Sequence, residues 1–325
     1  MQNITIKNQI AMLTKAANGP RSLPILKLVR ITNEQRMEST NLSTAVIIDG
    51  IGGLVDGFID GKTLKRSGID GALANWDAVK DTDAAADEWP ELPTADDATT
   101  ELNQATVSAI VEALVATSDD NARPVLQAIE LHDGAITSTD GYRLFSKGGG
   151  HKLDVLLPKE AAELVKLSKT LDGWYFGESA NQITLKNDNL TIISSKIDVV
   201  YPKWRTLVPE TTAHRVVLNA AEVYGAANII KDGGSLSLNI DGKGAATVEN
   251  GAGRKVGVSI VKTEGPQNTN PNNIYIVMPL KGDGSEGVTL NPWYLKEATG
   301  KYKFICIDYN NNTAPTLVRG WEVCN

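Results

Sequence analysis

Three times along this chain a short apolar strand runs into a capping side chain and then into an amphipathic helix. That recurrence restricts the fold more than any other feature. It occurs as "ITIKNQIAMLTKAA" with Asn8 at the cap, as "TELNQATVSAIVEALVATS" with Asn103, and as "HRVVLNAAEVYGAANII" with Asn219. An asparagine oxygen at this position accepts from the free amides of the first helical turn. In the second copy Val107, Ile110, Val111, Leu114 and Val115 recur at helical spacing and give one apolar stripe.

A second signature alternates with the first. It reads "VDGFIDGKTLKRSG" around Asp60, "LDVLLPKEAAELVKLSKTL" at Pro158 and "EGVTLNPWYLKEATG" at Asn291-Pro292. Proline suits the first helical position in the last two. The stretches between, such as "ILKLVRIT", "VLQAIEL", "QITLKNDNLTIIS", "SLSLNID" and "KFICIDY", read as strands. The chain of 325 residues thus reads as α+β, three similar domains of two helices packed on antiparallel sheet, at 1–97, 98–212 and 213–325. One large irregular α+β domain with chance caps is the alternative. The stretch from Asp70 to Glu101 carries ten acids against Lys80 and is expected to be a partly ordered, solvated end to the first domain.

Composition narrows the functional classes. A net charge of −7 argues against tight, salt-driven nucleic-acid binding, though not against a protein that surrounds DNA while holding it weakly. No apolar run has the length of a membrane span and the N-terminus lacks a signal-peptide pattern, so no membrane partner is expected. Two cysteines, Cys306 and Cys324, point to a reducing cytoplasm, with no disulfide framework and no structural zinc. His132, His151 and His214 have no metal-ligand spacing, and neither a Gly-x-Ser-x-Gly elbow nor a phosphate loop is present. "GDGSEG" precedes a strand where a dinucleotide site would open a helix. No catalysis, metal or cofactor is expected.

The middle domain carries "NARPVLQAIEL", "TSTDGYRLF", "VLLPKEAAELVKL" and "SSKIDVVYPKWRTLVPE" in that order, flanked by "RSLPILKLVRIT" with "MESTNLSTAVII" before and "GVTLNPWYLKEA" after. Together these resemble the bacterial sliding clamp, the β subunit of DNA polymerase III, over nearly the whole chain. The resemblance implies a homodimeric ring of six domains, helices lining the hole and sheets outside. It implies a non-catalytic processivity factor for DNA replication that encircles duplex DNA and tethers the polymerase and clamp-loader subunits. A clamp-like scaffold or decoy that does not encircle DNA is the rival.

The same resemblance implies the sites. A hydrophobic partner-peptide cleft takes Arg123, Val125, Leu126, Thr139, Gly141, Tyr142, Arg143, Leu144, Pro202, Thr206 and Leu207. An apolar anchor buried against Leu144 and Tyr142 is worth roughly 1.5–3 kcal/mol, while Arg143 lays its stem along the pocket and its head on backbone or a carboxylate. Loose phosphate contacts fall to Lys7, Lys15, Arg21, Lys159, Lys166, Lys169, Lys231, Lys296 and Lys301, and the dimer joint to Ile229 and Ile230. Three departures stand out. The first domain is short, Tyr142 stands where histidine is frequent, and the chain ends "APTLVRGWEVCN" instead of in the Met-Pro-Met strand that closes the cleft. A similar "IYIVMPLK" (Ile274 to Lys281) lies before the last helix, and the terminal role is not carried over to it.

Overall fold

The computed structural model describes residues 4–18, 23–32, 34–51, 56–74, 88–92, 98–241, 245–270, 273–280 and 287–320. They form two compact α+β units: unit 1 is Met1–Leu114, Ala128–Gly134 and Gly149–Val199, and unit 2 is Val115–Gln127, Ala135–Gly148 and Val200–Asn325.

Unit 1 opens with α1 (Ile6–Ala16), followed by β1 (Leu28–Thr32), β2 (Arg36–Thr40), β3 (Thr44–Ile48), β4 (Gly57–Asp60) and α2 (Gly61–Ala74). After β5 (Thr100–Leu102), α3 (Gln104–Ala113) and β6 (Ala128–His132), the unit resumes at β9 (Val155–Pro158) and α4 (Lys159–Ser168). It ends with β10 (Trp174–Glu178), β11 (Gln182–Asn187) and β12 (Leu190–Ser195). Its main sheet is antiparallel in the order β4-β1-β2-β3-β12-β11-β10-β5, and β6 pairs with β9. Because β3 bonds to β12 from Ile48↔Leu190 to Thr44↔Ser194, residues from either side of position 97 share one sheet. Met12 and Leu13 of α1, Val29, Met37, Ile48 and Leu190 are all shut off from solvent. That burial, more than helix propensity, holds α1 in place.

The caps follow side-chain chemistry, with two corrections. Asn103 caps α3 by accepting from Thr106 N at 2.8 Å, and Asp60 caps α2 by accepting from Lys62 N and Thr63 N, both at 3.0 Å. Thr5, and not Asn8, caps α1; the helix starts earlier because a threonine hydroxyl serves as well. Asn8 then lies in the first turn, and its Nδ2 donates to Ser168 O at 3.0 Å, tying α1 to the end of α4. Pro158 precedes α4 as its cap residue and is not its first helical one. In α2 the backbone breaks at Gly68, whose φ of 69° suits a residue without a β-carbon.

Within the acidic stretch, residues 88–92 are not a solvated run. Trp89 is buried and meets the ring of Phe58 at 5.4 Å between centroids, while Leu92 packs on Ala45, Ile47 and Ile193. The physical reason is local: two large apolar residues set among acids gain more from that sheet face than from water.

Unit 2 contributes β7 (Ala135–Thr139), β8 (Arg143–Gly148), β13 (Thr211–Thr212), β14 (His214–Asn219) and α5 (Ala220–Ile230). It continues with β15 (Leu236–Ile240), β16 (Ala246–Asn250), β17 (Lys255–Val258), β18 (Ile260–Glu264), β19 (Gln267–Asn268), β20 (Asn273–Val277) and β21 (Val288–Leu290). Helix α6 (Pro292–Thr299) leads into β22 (Phe304–Tyr309) and β23 (Thr316–Gly320). Seven strands run β18-β14-β22-β23-β20-β8-β7, four run β17-β16-β15-β21, and β13 pairs with β19. Val223 of α5 and Leu295 of α6 are fully buried in the core with Leu238, Leu290 and Ile305. Asn219 caps α5, and Asn291 caps α6 with Pro292 at its first position, as the spacing predicts.

A charge network crosses four strands of the seven. Arg215 on β14 donates to both carboxylate oxygens of Asp308 on β22, at 2.6 and 2.9 Å, and its Nη1 lies 3.4 Å from Glu264 of β18. Arg319 of β23 reaches the same Asp308. The Asp308 hydrogen bond raises the Arg215 guanidinium above its ordinary value. Next to Asp308, the buried Cys306 is disulfide-bonded, which corrects the expectation of a chain without disulfides. Cys324, the chain's other cysteine, lies outside the described residues.

Candidate functional site

The "TDGYRLF" run forms a tight side-chain-locked turn between β7 and β8. Asp140 Oδ1 accepts from the amides of Tyr142 and Arg143 at 2.8 and 2.9 Å, and Thr139 Oγ1 accepts from Gly141 N at 3.1 Å while donating to Arg143 O at 2.8 Å. Gly141 sits at φ 92°, where a side chain would be strained. The lock pushes Tyr142 outward, leaving it 60% exposed.

Arg143 turns the other way. Its Nε meets Asp140 Oδ2 at 2.8 Å, its Nη1 pairs with the Glu297 carboxylate, and its guanidinium lies 4.6 Å from the centre of the Tyr294 ring. The carboxylates it reaches are therefore this chain's own, and Arg143 braces the turn against α6. Arg123 stands beside the same turn: a β-carbon on Gly141 would lie 3.4 Å from its Nη1. Arg123 Nε bonds Asp120 Oδ2 at 2.8 Å, and that bond, with the Ala122 amide, lowers the Asp120 carboxyl below its usual range.

Strand β20 completes this corner. It pairs with β8 from Asn273↔Lys147 to Val277↔Arg143, and Met278 N then donates to Tyr142 O at 2.8 Å. The segment "IYIVMPLK" thus places Met278 and Pro279, both half-buried, and the exposed Leu280 directly beyond the tyrosine turn. Sequence reading set this segment aside because it precedes the last helix. Its Met-Pro pair after an apolar strand was the signal.

The other expected cleft residues divide by burial. Leu144 is 3% exposed between Thr139 and Ile276, and Leu126 is also buried, so both support the surface from beneath. Val125 is half-buried. Thr206 and Leu207 lie exposed on a 3-10 turn of the same unit (Trp204–Leu207) that the buried Trp204 anchors, with the exposed Pro202 just before it and Arg205 stacked over the Trp204 ring at 4.6 Å.

Among the expected phosphate contacts, Lys7, Lys166, Lys169 and Lys231 are exposed and Lys159 is half-buried. Lys15 is paired with Glu163 at 2.6 Å. Lys296 and Lys301 are exposed and lie over the rings of Trp293 and Tyr302 at 5.3 and 5.1 Å. Arg21 lies outside the described residues, as does most of "GDGSEG". At the expected joint, Ile229 is 71% exposed, whereas Ile230 is a core residue at 4%, because consecutive helical positions point to different faces. Among the described residues no cluster of three metal-ligating side chains occurs, and no helix is long and apolar enough to cross a membrane.

The architecture and this corner define the bacterial sliding-clamp fold. The chain superposes on the DNA polymerase III β chain of Streptococcus pneumoniae with a TM-score of 0.71 at 15% identity, covering 97% of this chain and 93% of that one. It is similar to the DNA polymerase III β subunit of Thermotoga maritima, at TM-score 0.69 and 16% identity over 98% and 94% of the two chains. A third similar structure is the Pseudomonas aeruginosa sliding clamp bound to griselimycin, at TM-score 0.64 and 13% identity over 97% and 93%. No family profile and no curated protein matches the chain.

Proposed function

We propose that this protein is a DNA polymerase processivity factor: a homodimeric, non-catalytic ring that encircles duplex DNA and holds polymerase and loader subunits through an apolar cleft. The observation that carries the reading is the sliding-clamp fold over 97% of the chain. The exposed Tyr142 and Leu280, with the half-buried Met278 between them, support the cleft assignment. They offer apolar and aromatic surface to a partner's anchor side chain, and Leu207 and Pro202 of the same unit supply further apolar surface.

In this reading the chain comprises three clamp domains, at 1–97, 98–212 and 213–325, acting in the cytoplasm. The exposed lysines Lys7, Lys166, Lys169, Lys231, Lys296 and Lys301 meet phosphates loosely, and Ile229 lies at the joint. An acidic chain suits this task, because linkage and not charge keeps the DNA inside. The test is loading onto circular duplex DNA at high salt, followed by linearisation. A sliding ring is retained on the circle and runs off the cut ends. Failure of retention, with a solution mass equal to one chain, sinks the reading in favour of a scaffold that does not encircle DNA.

A further inference from the structure

Between α1 and the broken α2 of unit 1 lies a cavity of about 720 Å³, within the size range of small-molecule sites. Ile6, Ile10, Ile51 and Ile69 give it an apolar lining, and Lys7 and Lys65 contribute two exposed ammonium groups at its edge. Neither lysine makes an ion pair with a described residue. Gln9 also lines the cavity. It is only 6% exposed, and its side-chain amide has no hydrogen-bond partner among the described residues. The break at Gly68 contributes to the opening: the residue lines the cavity and its extended ψ of −178° carries Ile69 off the helical path.

We propose that this cavity binds a small organic anion with an aliphatic body. The isoleucines cover the body, the lysines neutralise a carboxylate, and the Gln9 amide donates to one of its oxygens. A bare phosphodiester does not fit this lining, since it has no apolar part to cover four isoleucines. The assignment concerns unit 1 alone and requires no ring, although it shares Lys7 with the phosphate contacts proposed above.

Octanoate is the probe, titrated into the full chain by calorimetry beside octanamide, its neutral counterpart. Saturable 1:1 binding of octanoate is expected, at least 10-fold tighter than that of octanamide. The double substitution Lys7→Ala with Lys65→Ala should weaken octanoate at least 10-fold and leave octanamide unchanged. Ala11→Trp, which places a ring in the cavity, should abolish both. Absence of saturable binding overturns the proposal, as does binding that the lysine pair does not affect. Both lysines are exposed, so the lysine variant keeps its fold and decides the matter even if Ala11→Trp does not.

Discussion

Arg143 marks the limit of what residue types alone reveal. Its position between Tyr142 and an apolar pair suggests a group that faces a partner, yet its side chain is engaged by Asp140, Glu297 and Tyr294. The Asp-Gly turn was legible because its chemistry is local. The pairing with Glu297 was not, because 154 positions separate the two residues and only the fold brings them together. The exposed residue is Tyr142, and Tyr142→Ala should weaken a polymerase-derived peptide by about 10- to 100-fold, the loss of one buried aromatic anchor. Fluorescence anisotropy measures it, and unchanged affinity would remove the tyrosine from the cleft. Asp308 is a different kind of residue: it holds Arg215 and Arg319 while 1% exposed. Asp308→Ala leaves two guanidinium groups beside an empty site and should cost about 3–5 kcal/mol, read as a shift in the urea midpoint at constant slope.

At the scale of elements, the alternation of strand, cap and helix was readable because capping asparagines and apolar stripes act within one turn. Asn103, Asn219 and Asn291 stand where they were expected. Residues 88–92 of the acidic stretch depart from a solvated run for the opposite reason. Its charge is a property of the whole run, whereas Trp89 and Leu92 answer to a sheet face assembled from β1, β3, β4 and β12. Trp89→Ala should therefore destabilise unit 1 by about 3–5 kcal/mol, as thermal unfolding would show. A change below about 0.5 kcal/mol would mean that the stretch lies loosely on the sheet. The segment that forms β20 was noted in the sequence but given no place beside the turn, because its pairing with β8 depends on the sheet and not on position in the chain.

For the whole molecule, fold class was readable from the repeat, while the grouping into two compact units was not, since it depends on β3 finding β12 across about 140 residues. Sequence counted two cysteines and read them as reduced; the bonded state of Cys306 predicts that the unfolded, unreduced protein has no thiol reactive to Ellman's reagent. Two equivalents of thiol per chain would contradict it. The placement of β20 has a mechanical meaning. It is gripped along both edges, by β8 and by β23, so a tug on Met278 shears two rows of hydrogen bonds together and cannot peel them singly. Under the proposed role, whatever tows this protein along DNA pulls against an interior strand of the sheet and not against a free edge.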